Sequence, residues 1–227
     1  MSKHLQNEIE KLKKRILSLS AVVEDTVYRA IESLKERNAE LAQSVIDTDT
    51  EIDQAEVDIE EECQKILALH QPVAHDLRFI IAILKINAEL ERIGDATVSI
   101  AERVLFLAGE DRIDIPFDFP GMARKAQAML HKSLDALVNL DASLAYEVIR
   151  ADDDVDAINR EMYGQTQECI QREPARVDSY IRLLGVSRHI ERIADHASNI
   201  AEDVIYLTEG TIVRHRTGKH KHVTPPE

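Results

Sequence analysis

Apolar residues recur at steps of three and four along almost the whole chain, the spacing of one buried helix face. The first run, Leu5, Ile9, Leu12, Ile16, Leu19, Val23, Val27, Ile31 and Leu34, predicts one long amphipathic helix. Asn38 reads as the N-cap of a second helix, because its side chain can accept from an orphan amide of the next turn. That helix reaches about Leu69, where Gln71-Pro72 breaks it, and Pro72 suits the first turn of a third. The third helix runs to about Ala108, with Gly109 expected as a left-handed C-cap. The stretch 109–120, which holds Gly109, Pro116 and Pro120, is the linker candidate.

The plan then repeats. A fourth helix is expected over about 121–139, and Asp141 caps a fifth as Asn38 caps the second. Pro174 opens a sixth, which Gly210 ends. The third and sixth helices align without a gap at an offset of 100, so ERIGD at 91–95 returns as ERIAD at 191–195. Their seams are Ile83, Ile86, Leu90, Ile93, Thr97, Ile100, Val104, Leu107 and Leu183, Val186, Ile190, Ile193, Ala197, Ile200, Val204, Leu207. The second and fifth helices align at an offset of 103, NAELAQSVIDTDTEID against DASLAYEVIRADDDVD. The expected fold is all-α, a tandem repeat of two antiparallel three-helix bundles with six long helices. The first bundle covers 1–110 and the second 118–212; 213–227 is a basic, His-rich tail expected to be disordered.

Composition agrees. Aromatics are 4%, Trp is absent, and the 227 residues hold only seven Gly and six Pro, a mix that favours helices with short loops. The longest apolar run, about six residues at 79–84, is far below the ~20 needed to span a bilayer. The N-terminus lacks a signal-peptide core, and Cys63 and Cys169 form no Cys-x-x-Cys. Both features point to reduced thiols in the cytoplasm and to no direct membrane insertion. The formal net charge of −14 argues against nucleic acid as a partner. Between Asn38 and Gln64 there are ten acids and no Lys or Arg.

The acids carry the candidate chemistry. Glu91 and Asp95 share one face of the third helix, and Glu191 and Asp195 share one face of the sixth. Ser99 and Glu102 extend the first ridge, Asn199 and Glu202 the second. Asp49 with Asp53 and Asp152 with Asp156 lie on or beside the apolar stripes of the second and fifth helices. Folding neighbouring helices back at 1.5 Å per residue brings the pairs to a common height in each half. Clustered carboxylates repel unless a cation turns that cost into affinity. Oxygen donors suit Mg, Mn or Ca, and carboxylate clusters also bridge Fe or Zn. A single Glu-x-x-x-Asp is a common solvated face; four such pairs, level and duplicated, make a divalent or multinuclear metal the sharper reading. His189 and His196 flank the second motif and read as surface or cap residues, with His196 kept as an extra ligand; His75 reads as structural. No Glu-x-x-His, phosphate loop or nucleophile elbow is present, so the sequence names no catalytic centre.

With QPVAHDLR at 71–78 and ELERIGD at 89–95 between paired carboxylate motifs, residues 4–210 resemble the PhoU family of phosphate-transport accessory proteins and phosphate-regulon regulators. The resemblance implies a cytoplasmic homodimer and a negative regulator, not an enzyme. It links the ATPase subunit of a phosphate ABC transporter to a membrane sensor histidine kinase. It also implies metal clusters at Asp49, Asp53, Glu91 and Asp95 and at Asp152, Asp156, Glu191 and Asp195. The second half reads EPARVDSY where QPVAHDLR stands in the first, and the basic tail lies outside the pattern. The alternative reading is a metal-dependent hydrolase, and a third is a purely structural helical dimer.

Overall fold

The computed structural model describes residues 3–111 and 117–213. Residues 112–116 of the central linker and the tail from 214 onward therefore lie outside the described residues. Among the described residues six α-helices follow in order: α1 Lys3–Glu36, α2 Ala39–His70, α3 Ala74–Ala108, α4 Phe119–Asn139, α5 Ala142–Arg172 and α6 Val177–Glu209. A 3-10 turn, Pro174–Arg176, leads into α6. The fold is all-helical, two antiparallel three-helix units in tandem, α1–α3 and α4–α6.

The caps explain the boundaries. Asn38 accepts from Leu41 N and Asp141 from Leu144 N, each at 3.0 Å. Just before each cap the chain turns through a positive φ, 54° at Arg37 and 52° at Leu140. These two positions differ by the same offset of 103. Gly210 takes the left-handed conformation at φ 72°, its N–H bonded to Tyr206 O. Gly109 does not: its φ is −84°, and α3 ends in a tightened turn on Phe106 O and Leu107 O. The left-handed stop after α2 is Gln71, at φ 44°. Pro72 is buried between α2 and α3, before the first helical residue Ala74, rather than in the first turn.

Every residue of both seams is buried, from Ile83 to Leu107 and from Leu183 to Leu207. The core nevertheless runs continuously through both units. It is continuous because α3 and α6, besides closing their own bundles, pack on each other. Contacts pair Arg78 with Gly210, Lys85 with Asp203 and Phe106 with Arg182, so the two helices run antiparallel. At 25 cal/mol per Å², each Ile or Leu buried there contributes about 2 kcal/mol.

Gly94, the one residue that distinguishes ERIGD from ERIAD, is set by packing. A Cβ there would lie 3.2 Å and 3.3 Å from the Ile52 side chain. In the second unit Ala194 stands at this place, and the equivalent of Ile52 is Val155, both buried. One methyl has moved across the interface, conserving volume.

Candidate metal centre

In the second unit, α5 and α6 bring Asp156, Glu191 and Asp195 together: one carboxylate oxygen from each lies within 4.8 Å of the others. The i,i+4 spacing stacks Glu191 and Asp195 on α6, and Asp156 reaches them from the antiparallel α5. Asp152 sits one turn back on α5. Burial, then Asp195, Asp156 and Glu191, pushes its carboxyl up to about 7. Ser198 acts weakly against this, since its buried Oγ makes no well-formed hydrogen bond. Glu191 and Asp195 are also raised, first by burial and then by acidic neighbours, with Arg192 opposing in both.

The first unit holds the looser version. Asp49 and Glu91 are half-buried, and Asp53 and Asp95 are exposed. Asp53, Glu91 and Asp95 do not come within the distance that unites their counterparts; among the described residues Asp156, Glu191 and Asp195 form the one such trio. The four still sense each other. Burial and then Asp53 and Asp95 raise Asp49, while burial and then Asp95, Asp53 and Glu56 raise Glu91. Glu56 is a member the motif spacing missed, although it lies on the stripe of Asp49 two turns further on. Asn87 holds it, donating to its carbonyl and side-chain oxygens at 2.8 Å and 3.2 Å. In the second unit Asn159 and Ser187 occupy these places, bonded at 2.9 Å. The second cluster thus has one carboxylate fewer and is tighter.

The donor set fits a cation. Asp49 Oδ1, Ser198 Oγ and His196 Nε2 are buried polar atoms with no hydrogen-bond partner among the described residues. An orphaned carboxylate oxygen beside other raised carboxyls is what a hard cation would satisfy.

His196 is neither a surface nor a cap residue. It lies half-buried, its Nδ1 2.7 Å from Glu89 Oε2, across the α3–α6 junction. Glu89 is itself buried, accepts from Asn199 at 2.9 Å and pairs with Arg92 at 3.0 Å. Burial would raise the Glu89 carboxyl; the His196 and Asn199 hydrogen bonds outweigh it and hold it low. A carboxylate on Nδ1 fixes the ring, and Nε2 is the atom it would leave free to ligate. The ring also borders a cavity of about 800 Å³ shared with Asp152, Asp195, Asn199 and Glu202. Asn199 is therefore a positioning residue for Glu89, and Glu202 lines the cavity wall. On the first ridge Ser99 gives its carbonyl to Arg103, and Glu102 is exposed beside that arginine rather than with the acids. His189 is half-buried with an orphaned Nδ1; burial, then Arg103, Arg192 and Arg188, pushes it down to about 4. His75 is exposed, with Nδ1 3.9 Å from Asp76.

The chain matches the PhoU domain twice, over residues 16–104 and 119–204. It is 39% identical over 217 residues to a phosphate-specific transport system accessory protein PhoU homolog of Aquifex aeolicus, covering 96% of this chain and 98% of that one. The accessory protein PhoU of Escherichia coli is 31% identical, over 96% and 92% of the two chains. Among solved structures, PhoU from Pseudomonas aeruginosa superposes with a TM-score of 0.87 at 36% identity, covering 91% of this chain and 99% of its own. The phosphate transport system regulatory protein PhoU of Streptococcus pneumoniae gives a TM-score of 0.82 at 30% identity, over 92% and 99%. Relatives so named are transport accessory and regulatory proteins rather than enzymes, no helix among the described residues is long and apolar enough to cross a membrane, and the chain belongs to the PhoU family.

Proposed function

We propose that this chain is a cytoplasmic, homodimeric regulator of phosphate uptake and of phosphate-starvation signalling. In this reading it is a metal-loaded adaptor between the ATPase subunit of a phosphate ABC transporter and a membrane sensor histidine kinase, which it represses when phosphate is plentiful. The relatives' naming as phosphate-specific transport accessory proteins supports the transport side. The observation that carries the metal side is the convergence of Asp156, Glu191 and Asp195 beside Asp152, whose carboxyl is pushed up to about 7.

Asp152, Asp156, Glu191 and Asp195 would hold the cation of the second unit, with His196 Nε2 as a nitrogen donor. Asp49, Asp53, Glu91 and Asp95 would hold that of the first. Acids with one imidazole suit Mn, Fe or Zn, whereas the all-oxygen first set suits Mg, Mn or Ca. A bound cation supplies charge neutralisation: it removes the repulsion along α2–α3 and α5–α6 and fixes those helix pairs. The protein's share is to hold four carboxylates level and to lock the His196 ring through Glu89.

Pull-downs of the transporter ATPase and the sensor kinase, with and without divalent metal, test the adaptor. Capture of both partners by the metal-loaded protein is expected. Equal capture by chelated protein refutes the metal's part, and capture of neither refutes the adaptor. Elemental analysis with the eight acids intact and replaced by Ala tests the site separately.

A further inference from the structure

A second cavity, of about 600 Å³, lies between α3 and the N-terminal half of α6 and shares Arg192 with the first. Four arginines line it, Arg103 from α3 and Arg182, Arg188 and Arg192 from α6, together with His189. Among the described residues none of the four makes a salt bridge. Arg182 lies over Phe106, its Cζ 3.7 Å from the ring centroid, and Arg103 donates to Ser99 O. Two acids, Glu102 and Asp178, are also on the wall, so the lining is net basic in a chain of net charge −14.

The arrangement is built into the backbone. A Cβ at Gly185 would fall 2.5 Å from Arg103 Nε and 3.3 Å from its Cδ. A helix-interior glycine costs about 1 kcal/mol, and here it makes the groove in which the Arg103 side chain lies across α6. The internal repeat supplies the control. At the equivalent places of the other end stand Asp203 for Arg103, Ala82 for Arg182, Lys85 for Gly185, and Ala88 for Arg188. There the cations are paired, Lys85 with Asp203 at 3.1 Å and Arg92 with Glu89 at 3.0 Å. The two ends of one pseudo-symmetric junction thus differ in kind: one neutralises its charges internally, and the other leaves four guanidinium groups facing one opening.

Guanidinium forks match phosphate oxygens two at a time. Arg182 and Arg192, ten residues apart, are separated by about 15 Å along α6, longer than a single tetrahedral anion. We propose that this cleft binds a condensed phosphate chain, as pyrophosphate, short polyphosphate or the phosphate tail of a nucleotide. The site uses none of the clustered carboxylates, although Arg188 and Arg192 also act on Glu191, which is why the test is made on metal-free protein.

The test is isothermal titration of the full chain, freed of metal with chelator, at low salt. The probes are orthophosphate, pyrophosphate, tripolyphosphate and ATP. Affinity is expected to rise from orthophosphate to tripolyphosphate and to fall about tenfold or more in Arg188→Gln and in Arg192→Gln, the loss of one charge-assisted contact each. Both arginines are exposed, so neither change threatens the fold. Arg124→Gln, on the exposed side of α4, should bind as the unaltered chain does. Gly185→Ala should weaken binding with its helical circular dichroism intact, by displacing Arg103. ATP bound more tightly than tripolyphosphate identifies a nucleotide, and equal affinity identifies the chain alone; both support the site. Absence of heat with every probe, orthophosphate binding as tightly as tripolyphosphate, or equal losses in Arg124→Gln overturns it.

Discussion

Replacing Asp152 by Asn removes the most strongly perturbed carboxylate of the second cluster while keeping its shape. Burial and three acidic neighbours raise this carboxyl from 3.8 to about 7. A carboxyl raised in the folded state contributes stability that is whole below 3.8 and lost as pH rises through about 7. That gap corresponds to about 4 kcal/mol as a ceiling, and partial solvent access reduces it to roughly 2 kcal/mol. In chelator-treated protein at pH 8, Asp152→Asn should therefore melt about 4–8 °C higher than the unaltered chain. The advantage should shrink steadily as pH falls from 8 towards 4, since the unaltered carboxyl is then neutral as well. With saturating Mn²⁺ at pH 8 the order should narrow or reverse, because the lost oxygen would be a ligand in the proposed site. The assay is thermal unfolding followed by circular dichroism across that pH range, with and without metal. A variant less stable than the unaltered chain at pH 8 without metal, or an advantage that ignores pH, refutes the reasoning.

Asp95→Ala and Asp195→Ala should keep their helical circular dichroism yet lower the metal found by elemental analysis, and unchanged metal in both would count against the site. Gly94→Ala should cost about 1–2 kcal/mol in urea unfolding by crowding Ile52; adding Ile52→Val should recover most of it, and additive losses in the double variant would contradict the volume exchange. Leu140→Gly should raise stability by about 1 kcal/mol, because Leu140 is a left-handed stop at φ 52° whose side chain is only half covered. His196→Ala should destabilise by about 1–3 kcal/mol by depriving the buried Glu89 of a partner, and an effect below about 0.5 kcal/mol would show that Asn199 and Arg92 suffice.

The chain's local grammar determined the elements. Periodicity of three and four, the Asn38 and Asp141 caps and the offsets of 100 and 103 were enough to lay out six helices in two matching units. They also set Asp156, Glu191 and Asp195 at one height, because rise per residue is a property of the helix alone. Rotation about the helix axis and the approach of one helix to another are not local. They explain why the first quartet is looser than the second, although both are spelled with carboxylates, and why Glu56 joins the first. Gly109 fell short of a left-handed stop because α3 tightens on Phe106 and Leu107 instead, a choice its spacing could not show. Above all, only the packing of α3 against α6 decides that residues 107 positions apart, Glu89 and His196, share a proton-sized gap of 2.7 Å. The same packing pairs the cations at one end of that junction and leaves four arginines open at the other. Sequence spacing reports which residues share a face, and tertiary packing alone reports what that face meets.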